Sequence, residues 1–397
     1  MKALVVAEFY PSRHDPVLGI WAHRQALAVR DAGAGVRVLV LHRLVPPRAV
    51  LAAGPGSAVR GVAELVREPH AQTRDGLEIS YVPYISPERG RNYAKWGAWA
   101  APTLAATIAR IRRSFPFDVI HAHNAVPSGD AVRRAGVLAA LRAPLVVSVH
   151  GGDVLYTSSR VPDGERAVRR VLGAARVVLA NSEGIAELAQ AQGARETRVV
   201  HLGTDVPAAR PARRTGPATL VTVAHLVARK RHADVLRALT VLTPRHPSLR
   251  YEIVGDGPER AALEALAQRL GVRERVEFAG QLPPEQAVAQ ARGCTLFVMP
   301  STEEAFGVAY VEAMAGGVPA IGCRGEPGPE EIAAAGDGLV LVPPGDIERL
   351  TQRIDELLSD PHRLREAGQR ARATVAASFT WERCGEQTLA AYEHALR

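Results

Sequence analysis

The chain has 397 residues, too many for one hydrophobic core, and its 47% hydrophobic and 23% charged residues are typical of a globular protein. No segment is long and apolar enough to span a membrane, and the start, MKALVVAEFY, indicates a strand rather than a signal peptide. The length of the chain predicts two domains. The three cysteines are far apart in the sequence, which argues against a disulfide framework or a clustered metal site, so we expect a reducing, cytoplasmic compartment.

The net charge of +8 lies in the first half of the chain. Residues 1–205 hold 26 Lys and Arg against 17 Asp and Glu, whereas residues 206–397 hold 23 against 24. This excess indicates either a basic surface that aids solubility or attraction to an anionic acceptor or the inner face of a membrane. No basic patch is interleaved with aromatic residues, so a nucleic acid is not expected as a partner.

Short apolar strands alternate with helices through the first half, which predicts a doubly wound α/β domain. The segment 49–73 reads as an irregular loop with a short helix. The predicted strands are Leu4–Phe9, Val36–Leu41, Ile79–Tyr84, Val119–His123, Leu145–His150, Val177–Asn181 and Val199–Leu202, and the predicted helices are Ile20–Ala32, Asn92–Arg113, Ala125–Ala140, Asp163–Ala174 and Glu183–Gln192.

Residues 203–218, GTDVPAARPARRTGPA, have the composition of a linker. A second alternation of strands and helices follows and predicts a second domain of the same class. Its predicted strands are Leu220–Ala224, Tyr251–Gly255, Val276–Ala279, Thr295–Met299, Val318–Ile321 and Leu339–Val342, and the closing helices are 347–358, 361–377 and 381–395.

In the first half, polar residues follow two predicted strands. His121, His123 and Asn124 end one strand, and His150 with Asp153, in HGGD, ends another. Ligands of open α/β sheets bind at the carboxyl ends of strands, so these residues are candidates for a site. The alternative for each histidine is a structural role, and one of His121 and His123 is expected to have it, because alternate strand residues face opposite sides.

Gly19 opens the first helix and could admit a phosphate or simply form a turn, while Asp15 in the preceding loop could meet an acceptor. After the linker, His225 and Lys230 follow a strand, at the kind of position where open α/β sheets bind ligands. The chain has only three lysines against 46 arginines, which indicates that position 230 requires a lysine specifically rather than any basic residue.

Gly255-Asp256-Gly257-Pro258 follows the next strand, but Arg260 stands where a dinucleotide fingerprint needs its third glycine, which disfavours a dehydrogenase. The chain contains no Asp-x-Asp pair, the usual means of holding a metal-bound sugar nucleotide. We therefore expect no metal and no cofactor in the reaction.

Residues 294–322 read as strand, loop, helix and strand. Amides at the start of the helix, about 306–309, would point at an anion, and Gly307 would let a phosphate approach. Glu304 precedes the helix and Glu312 lies within it, so the two carboxylates could bind a sugar diol and a ribose diol on either side of a diphosphate. The alternative is that Glu304 merely caps the helix and that Glu312 is a solvated helix residue.

Glu304-x7-Glu312 with Phe306-Gly307 between them resembles the signature of the family 4 glycosyltransferases, retaining enzymes of the GT-B fold. The pairs His121/His123 and His150/Asp153 are similar to the family's His-x-His and His-Gly-x-Asp segments. The resemblance implies an α/β GT-B architecture, with two Rossmann-like domains facing a central cleft. The implied domains are an acceptor-binding domain, 1–205, joined by the last helix, 380–397, and a donor-binding domain, 206–379.

By this resemblance, His150, Lys230 and Glu304 would be catalytic, and no metal ligand is implied. Two departures from the family are Gly19-Ile20, where two glycines are common, and His225 in place of an arginine. The implied donor-binding residues are Gly19, His225, Lys230, Gly255, Gly280, Leu282, Glu304, Ala305, Phe306, Gly307, Val308 and Glu312, and the acceptor-binding residues are Asp15, His123, Asn124 and Asp153.

The function implied is transfer of a sugar, with retention, from a nucleoside diphosphate sugar to a hydroxyl of a glycan, a lipid-linked or a small-molecule acceptor. A UDP-sugar is favoured and a GDP-sugar is next, as in bacterial polysaccharide or natural-product biosynthesis. Two alternatives stay open: a sugar-nucleotide 2-epimerase of GT-B fold, and a non-catalytic protein that binds nucleotide sugars.

Overall fold

The structure, a computed structural model, describes residues 1–12, 15–46, 48–67, 70–138, 140–211 and 215–397. The chain divides into two compact units. The first unit comprises residues 1–201 and 384–397, and the second comprises residues 202–383. Each is built on a largely parallel sheet, so the predicted pair of doubly wound α/β domains is confirmed.

The sheet of the first unit has eight strands in the order β3-β4-β2-β1-β5-β6-β7-β8, and β3 is antiparallel to β4. Parallel neighbours place Ala7 of β1 beside His123 of β5, and His123 beside Ser148 of β6. The strands are β1 Lys2–Ala7, β2 Gly35–Arg43, β3 Ala71–Arg74, β4 Leu77–Tyr84, β5 Val119–His123, β6 Leu145–Val149, β7 Val177–Ala180 and β8 Thr197–Val199.

Helices connect these strands, and the last helix of the chain, α17 (Trp381–Leu396), contributes its residues from Cys384 onward to the first unit. Tyr392 of α17 contacts His121 of β5 through a 2.7 Å hydrogen bond. The other helices of this unit are α1 Ile20–Asp31, α2 Arg48–Ala52, α3 Pro55–Arg67, α4 Arg89–Asn92, α5 Trp96–Ser114, α6 Asp130–Leu138, α7 Ser158–Arg160, α8 Gly164–Ala174 and α9 Glu183–Ala191.

The reading of 49–73 as an irregular loop with a short helix is wrong. The segment forms α2, the 13-residue α3 and the edge strand β3, which pairs with β4 through a two-residue turn at Asp75-Gly76. Both turn residues have positive φ, 51° and 78°, as a type I′ hairpin turn requires. The Asp-Gly dipeptide was the sequence signal for this hairpin.

The sheet of the second unit has six parallel strands in the order β11-β10-β9-β12-β13-β14. Its strands are β9 Thr219–Val223, β10 Arg250–Val254, β11 Val276–Gly280, β12 Leu296–Val298, β13 Ala320–Cys323 and β14 Leu339–Val342. Its helices are α10 His232–Leu242, α11 Arg260–Arg269, α12 Pro284–Gly293, α13 Val308–Ala315, α14 Pro327–Ala334, α15 Ile347–Ser359 and α16 Pro361–Ser378, followed by the start of α17.

The strands of the second unit are buried because helices cover both faces of a parallel sheet. The aliphatic side chains of Leu220, Ile253 and Val298 are fully buried in one core cluster with α10, α11 and α15. Burial of such side chains contributes roughly 1.5–3 kcal/mol each, which fixes the sheet and therefore the loops at its carboxyl edge.

Replacing Gly19 by alanine is expected to destabilise the first unit by about 2–5 kcal/mol. Gly19 has φ 73°, and a Cβ there would overlap the backbone of Phe9 and Tyr10. Gly33→Ala is the matched control, because Gly33 also has positive φ, 107°, but a Cβ there meets nothing within 4 Å. It should cost only about 1 kcal/mol. Equal costs in denaturant unfolding would contradict the close contact at Gly19.

Candidate functional site

The candidate residues of the second unit lie at one edge of its sheet. The adjacent strands β11, β10, β9 and β12 run parallel, so the loops that follow them share the carboxyl edge. Gly280 is the last residue of β11, and the loops after β10, β9 and β12 carry Gly255, the segment 224–231 and the segment 299–307 respectively. This is the edge at which open α/β sheets bind ligands.

A buried ion pair lies at the centre of this edge. Lys230 Nζ contacts Glu304 Oε2, and each side chain is only 11% exposed. Ser301 Oγ donates a 2.9 Å hydrogen bond to the same Glu304 oxygen, and Arg229 Nη1 lies 3.9 Å from it. Both partners had been predicted as site residues, but their direct pairing had not.

Burial and mutual attraction act on the pKa values of both groups of the pair. Burial raises the pKa of Glu304, but the charge and hydrogen bond of Lys230 outweigh burial. The pKa of Glu304 therefore lies below its usual value. Burial lowers the pKa of Lys230, and the Glu304 carboxylate offsets part of this shift. An ammonium has three N–H donors, so Lys230 can bind Glu304 and still donate to another anion.

Neighbouring groups fix the loop that carries Glu304. The Glu304 amide donates a 2.9 Å hydrogen bond to Glu326 Oε2, and the Glu304 carbonyl accepts from the Gly328 amide at 3.0 Å. The Tyr310 hydroxyl donates to the Met299 carbonyl. These bonds hold the carboxylate in one orientation, which a binding group requires.

Helix α13 begins directly after this loop. Gly307 stands before its first residue with φ 89°, and a Cβ there would press on the ring of Tyr310, so glycine is required for local packing alone. The first amides of a helix lack intrahelical partners, and Val308 supplies the first of them here. Ala305 and Phe306 are buried, and Phe306 packs on Phe379 with ring centroids 5.6 Å apart.

The other predicted donor-binding residues of the second unit differ in burial and in their backbone contacts. Gly255, with φ 136°, accommodates the backbone of Ala224, and its amide donates to the Gly280 carbonyl at 2.8 Å, so both glycines join neighbouring loops. His225 is exposed and Leu282 is half-buried. The remaining residue, Glu312, is half-buried on α13, and its carbonyl accepts a 3.3 Å bond from Arg292.

In the first unit, the candidate residues at the ends of β5 and β6 come together. His123 Nδ1 lies 3.0 Å from His150 Nε2, and the two rings are parallel with centroids 5.3 Å apart. Asp153 Oδ1 accepts a 2.8 Å bond from the Ala125 amide. Among the described residues, His123 Nε2, His150 Nδ1, Asp153 Oδ2 and Asn124 Oδ1 are buried without a hydrogen-bond partner.

Burial sets the protonation of this cluster. It lowers the pKa of His150 to about 4 and that of His123 well below its usual value, so both rings are neutral at pH 7 and one donates to the other. Burial raises the pKa of Asp153 to about 6, although backbone amides oppose the shift. His121, by contrast, bonds Tyr392 and Ser148 through both ring nitrogens, at 2.7 Å each, and is a core residue.

Asp15 and Gly19 belong to the loop before α1 and, among the described residues, form no hydrogen bond with the histidine cluster. Asp15 Oδ1 accepts from the amides of Val17 and Leu18 at 3.1 and 3.0 Å, so it organises the loop before α1. The close approach of Gly19 to Phe9 explains the glycine without a phosphate. Acceptor contact by Asp15 and phosphate contact by Gly19 both stay predictions.

Glu8 belongs to the cluster, and sequence reasoning missed it. We had placed it inside the strand Leu4–Phe9, whereas β1 ends at Ala7. Its side chain is 9% exposed, Oε2 accepts a 2.7 Å bond from the Tyr93 hydroxyl, and Oε1 lies 3.7 Å from Arg89 Nη1. An acidic residue at the carboxyl end of a predicted central strand was the available signal.

Replacing Glu8 by glutamine should stabilise the first unit increasingly as the pH rises. Burial raises the pKa of Glu8 to about 7 from 4.5, against the effects of Arg89 and Tyr93. The folded state therefore holds the proton more tightly than the unfolded state, and the stability this contributes is present below pH 4.5 and lost as the pH rises through 7. Glutamine does not titrate, so the difference between variant and wild type should grow by about 3 kcal/mol between pH 4.5 and 8.

Urea unfolding of both proteins across this pH range measures that difference. Glu78→Gln is the control, because Glu78 is 63% exposed in a 2.8 Å pair with Arg37. Its substitution removes an exposed carboxylate and should change the stability by less than about 1 kcal/mol. A Glu8→Gln difference that is flat with pH would contradict the burial assigned to the carboxyl.

Among the helices that the structure describes, none has the length and apolar character needed to cross a bilayer. Nor do the described residues include three or more His, Cys, Asp or Glu side chains grouped to bind a metal ion. The three cysteines are free and buried. A metal-free reaction and weak membrane contact both stay predictions.

Two sequence models together cover most of the chain. Residues 19–207 match the family described as "Glycosyltransferase Family 4", and residues 208–374 match that described as "Glycosyl transferases group 1". The first match begins after β1 and includes β2 to β8, and the second includes every strand of the second sheet. The chain belongs to the family 4 glycosyltransferases, as its motifs indicated.

Curated relatives carry several related names. A GDP-mannose-dependent α-(1-6)-phosphatidylinositol monomannoside mannosyltransferase from Mycolicibacterium smegmatis is 29% identical over 307 residues, 72% of this chain and 78% of that protein. An exopolysaccharide phosphotransferase from Streptomyces coelicolor is 36% identical over 154 residues, but these are 38% of this chain and 16% of that protein.

Solved structures support the fold. A sucrose-phosphate synthase from Thermosynechococcus elongatus superposes with a TM-score of 0.75 and 18% identity, covering 99% of this chain and 98% of the other. HepE from Anabaena, solved with UDP and glucose, superposes with a TM-score of 0.71 and 19% identity, and 99% of each chain is covered. At these identities the likeness concerns the fold alone, and the predicted GT-B fold class is confirmed.

Proposed function

We propose that this glycosyltransferase moves a hexose, with retention of configuration, from a nucleoside diphosphate sugar to a hydroxyl group. The observation that carries the proposal is the buried Lys230–Glu304 pair at the carboxyl edge of the second sheet. It supplies a cation for a leaving diphosphate and a carboxylate for sugar hydroxyls side by side, directly before the start of α13.

In this proposal, Lys230 stabilises the charge that develops on the diphosphate as the glycosidic bond breaks. A cation that is already fixed and partly desolvated interacts more strongly with that charge than one in water. The amides at 306–308 and, when protonated, His225 assist it. Glu304 binds sugar hydroxyls, and Glu312 binds the ribose.

The first unit supplies the acceptor side. His150 is held neutral by burial and can donate from one ring nitrogen to the donor sugar, while His123, Asn124 and Asp153 bind the acceptor. The resemblance implies front-face displacement, in which the leaving phosphate helps to take the acceptor proton and no enzyme nucleophile acts. A product with the same anomeric configuration as the donor, seen by NMR, would support retention, and an inverted product would refute it.

We propose a UDP-sugar first and a GDP-sugar second as donor, with a glycan, lipid-linked or small-molecule hydroxyl as acceptor. The named mycobacterial relative uses GDP-mannose and HepE was solved with UDP, which supports testing both. Peripheral contact with an anionic membrane through the basic first half stays a prediction.

A thermal-shift panel of UDP-, GDP-, ADP- and dTDP-sugars, each with and without EDTA, tests the donor site. Binding to the native state must raise the unfolding midpoint, by an amount equivalent to about 2.7 kcal/mol at a hundred times the dissociation constant. We expect one base to dominate and EDTA to have no effect. Lys230→Met should lose the shift, and Lys95→Met, at a surface lysine 57% exposed, should keep it. No shift with any nucleotide would refute the proposal.

A further inference from the structure

Glu8 occupies the position at which the strand order of the first sheet reverses. β1 lies between β2 and β5, and Ala7 is level with His123, so Glu8 and Asn124 leave adjacent strands at the same edge. Doubly wound sheets bind ligands at this switch point. Asp15 and Gly19 were the candidates after β1, and both lie further along the loop than Glu8, which directly follows the strand.

The Glu8 carboxyl has unused hydrogen-bonding capacity. Two carboxylate oxygens can accept about four hydrogen bonds. Within the described residues, Glu8 accepts one, from the Tyr93 hydroxyl, and Arg89 Nη1 stands 3.7 Å away. The Arg89 guanidinium instead lies over the Tyr93 ring, 4.1 Å from its centroid, and is half exposed. Glu8 is thus enclosed without being neutralised by a close ion pair.

Two more acceptor oxygens lie in the same corner. The Tyr93 hydroxyl, which contacts Glu8, also lies 3.2 Å from the Val126 carbonyl, and the neighbouring Ala125 amide donates to Asp153. Asp153 Oδ2 and Asn124 Oδ1 have no partner among the described residues, and Asp153 is 2% exposed. Buried acceptors are normally satisfied, so these oxygens are available to accept hydrogen bonds from a ligand with several donors.

We propose that Glu8 is an acceptor-binding residue, which together with Asp153 and Asn124 accepts hydrogen bonds from neighbouring hydroxyls of a neutral polyol, a sugar ring or a cyclitol. Two carboxyl groups would repel a phosphate at this position, whereas vicinal hydroxyls satisfy both of them. The inference rests on the proposed function, because it identifies the acceptor end that enters the first unit.

The proposal predicts a pH dependence of acceptor binding. Ionised Glu8 accepts more hydrogen bonds than protonated Glu8, so affinity should rise across its titration near pH 7. A step from Asp153, near pH 6, should remain when Glu8 is replaced. The other charged or titratable groups that influence Glu8 are Arg43 on β2, Tyr84 on β4, Arg89 on α4 and Tyr93.

Saturation-transfer NMR with methyl α-D-glucopyranoside, methyl α-D-mannopyranoside and myo-inositol, in the presence of UDP or GDP, tests the proposal. We expect at least one probe to bind wild type, with saturation strongest beside vicinal hydroxyls. Glu8→Ala should weaken binding about tenfold to hundredfold, and Glu8→Gln should remove the affinity step near pH 7. Glu78→Gln, at the exposed carboxylate of β4, is the matched control and should bind as wild type does.

The outcomes separate this inference from the proposed function. If nucleotides stabilise the protein but wild type binds none of the probes, or Glu8→Ala binds them equally well, the role of Glu8 is overturned and the donor site stands. If no nucleotide stabilises the protein, the proposed function fails first. Glu8→Gln is expected to be more stable than wild type, so loss of its affinity step near pH 7 reports the carboxyl group rather than unfolding of the first unit.

Discussion

Replacing Lys230 by methionine is expected to cost the second unit about 3–5 kcal/mol of unfolding free energy at pH 8 and to abolish sugar transfer. The substitution leaves the Glu304 carboxylate buried with only Ser301 and the more distant Arg229 to stabilise it. The stability cost arises from this uncompensated charge rather than from loss of a favourable pair.

The cost should shrink at lower pH. Without Lys230, burial raises the pKa of Glu304 above its usual value, so the variant loses stability as the pH rises through that pKa. The wild-type carboxylate has a lowered pKa and gains stability over the same range. Denaturant unfolding at pH 8 and pH 5 measures the difference, which should be larger at pH 8.

Two variants make this test specific. Arg229→Met removes a cation near the same carboxylate, but Arg229 is 42% exposed, so the expected cost is below about 1 kcal/mol. Lys230→Met combined with Glu304→Gln removes both charges and should recover most of the stability without recovering transfer. A single Lys230→Met variant as stable as wild type would show that the pair is not buried in solution.

Glu304→Gln is expected to lower transfer about a hundredfold or more while nucleotide binding is retained. The amide offers one acceptor oxygen where the carboxylate offers two, and Lys230 loses the partner that fixes its Nζ. Glu304→Ala should be at least as severe.

Steady-state transfer assays and the nucleotide thermal shift measure the two effects separately. Glu303→Gln is the neighbouring control, because Glu303 precedes Glu304 in the same loop and is only half-buried. Unchanged turnover in Glu304→Gln would remove the role assigned to the carboxylate. Loss of nucleotide binding together with turnover would point to a collapsed loop instead.

The sequence was most informative where one local pattern determines one element. The apolar run before Met299, the loop with Phe306-Gly307 and the helix from Val308 to Ala315 were predicted, and α13 has those bounds. Parallel strands bring their carboxyl ends to one edge, so residues after separate strands, such as His123 and His150, could be expected to meet.

Side-chain pairing over long separations could not be predicted in the same way. Lys230 and Glu304 are 74 residues apart, and each had been assigned to the ligand rather than to the other. Glu8 escaped notice because the end of β1 was placed two residues late. Such errors of boundary are small in the chain but decide whether a side chain lies within the sheet or at its edge.

Helix α17 has a consequence for synthesis. Residues 384–397 belong to the first unit. Tyr392 forms a hydrogen bond with His121, and Thr388 accepts one from Gln25 at 2.9 Å. Gly385 packs closely against the backbone of Ala28. The second unit, residues 202–383, is synthesised before residues 384–397 are. The first unit therefore cannot be completed until all residues of the second unit have been synthesised, unlike the usual order in which the N-terminal domain matures first.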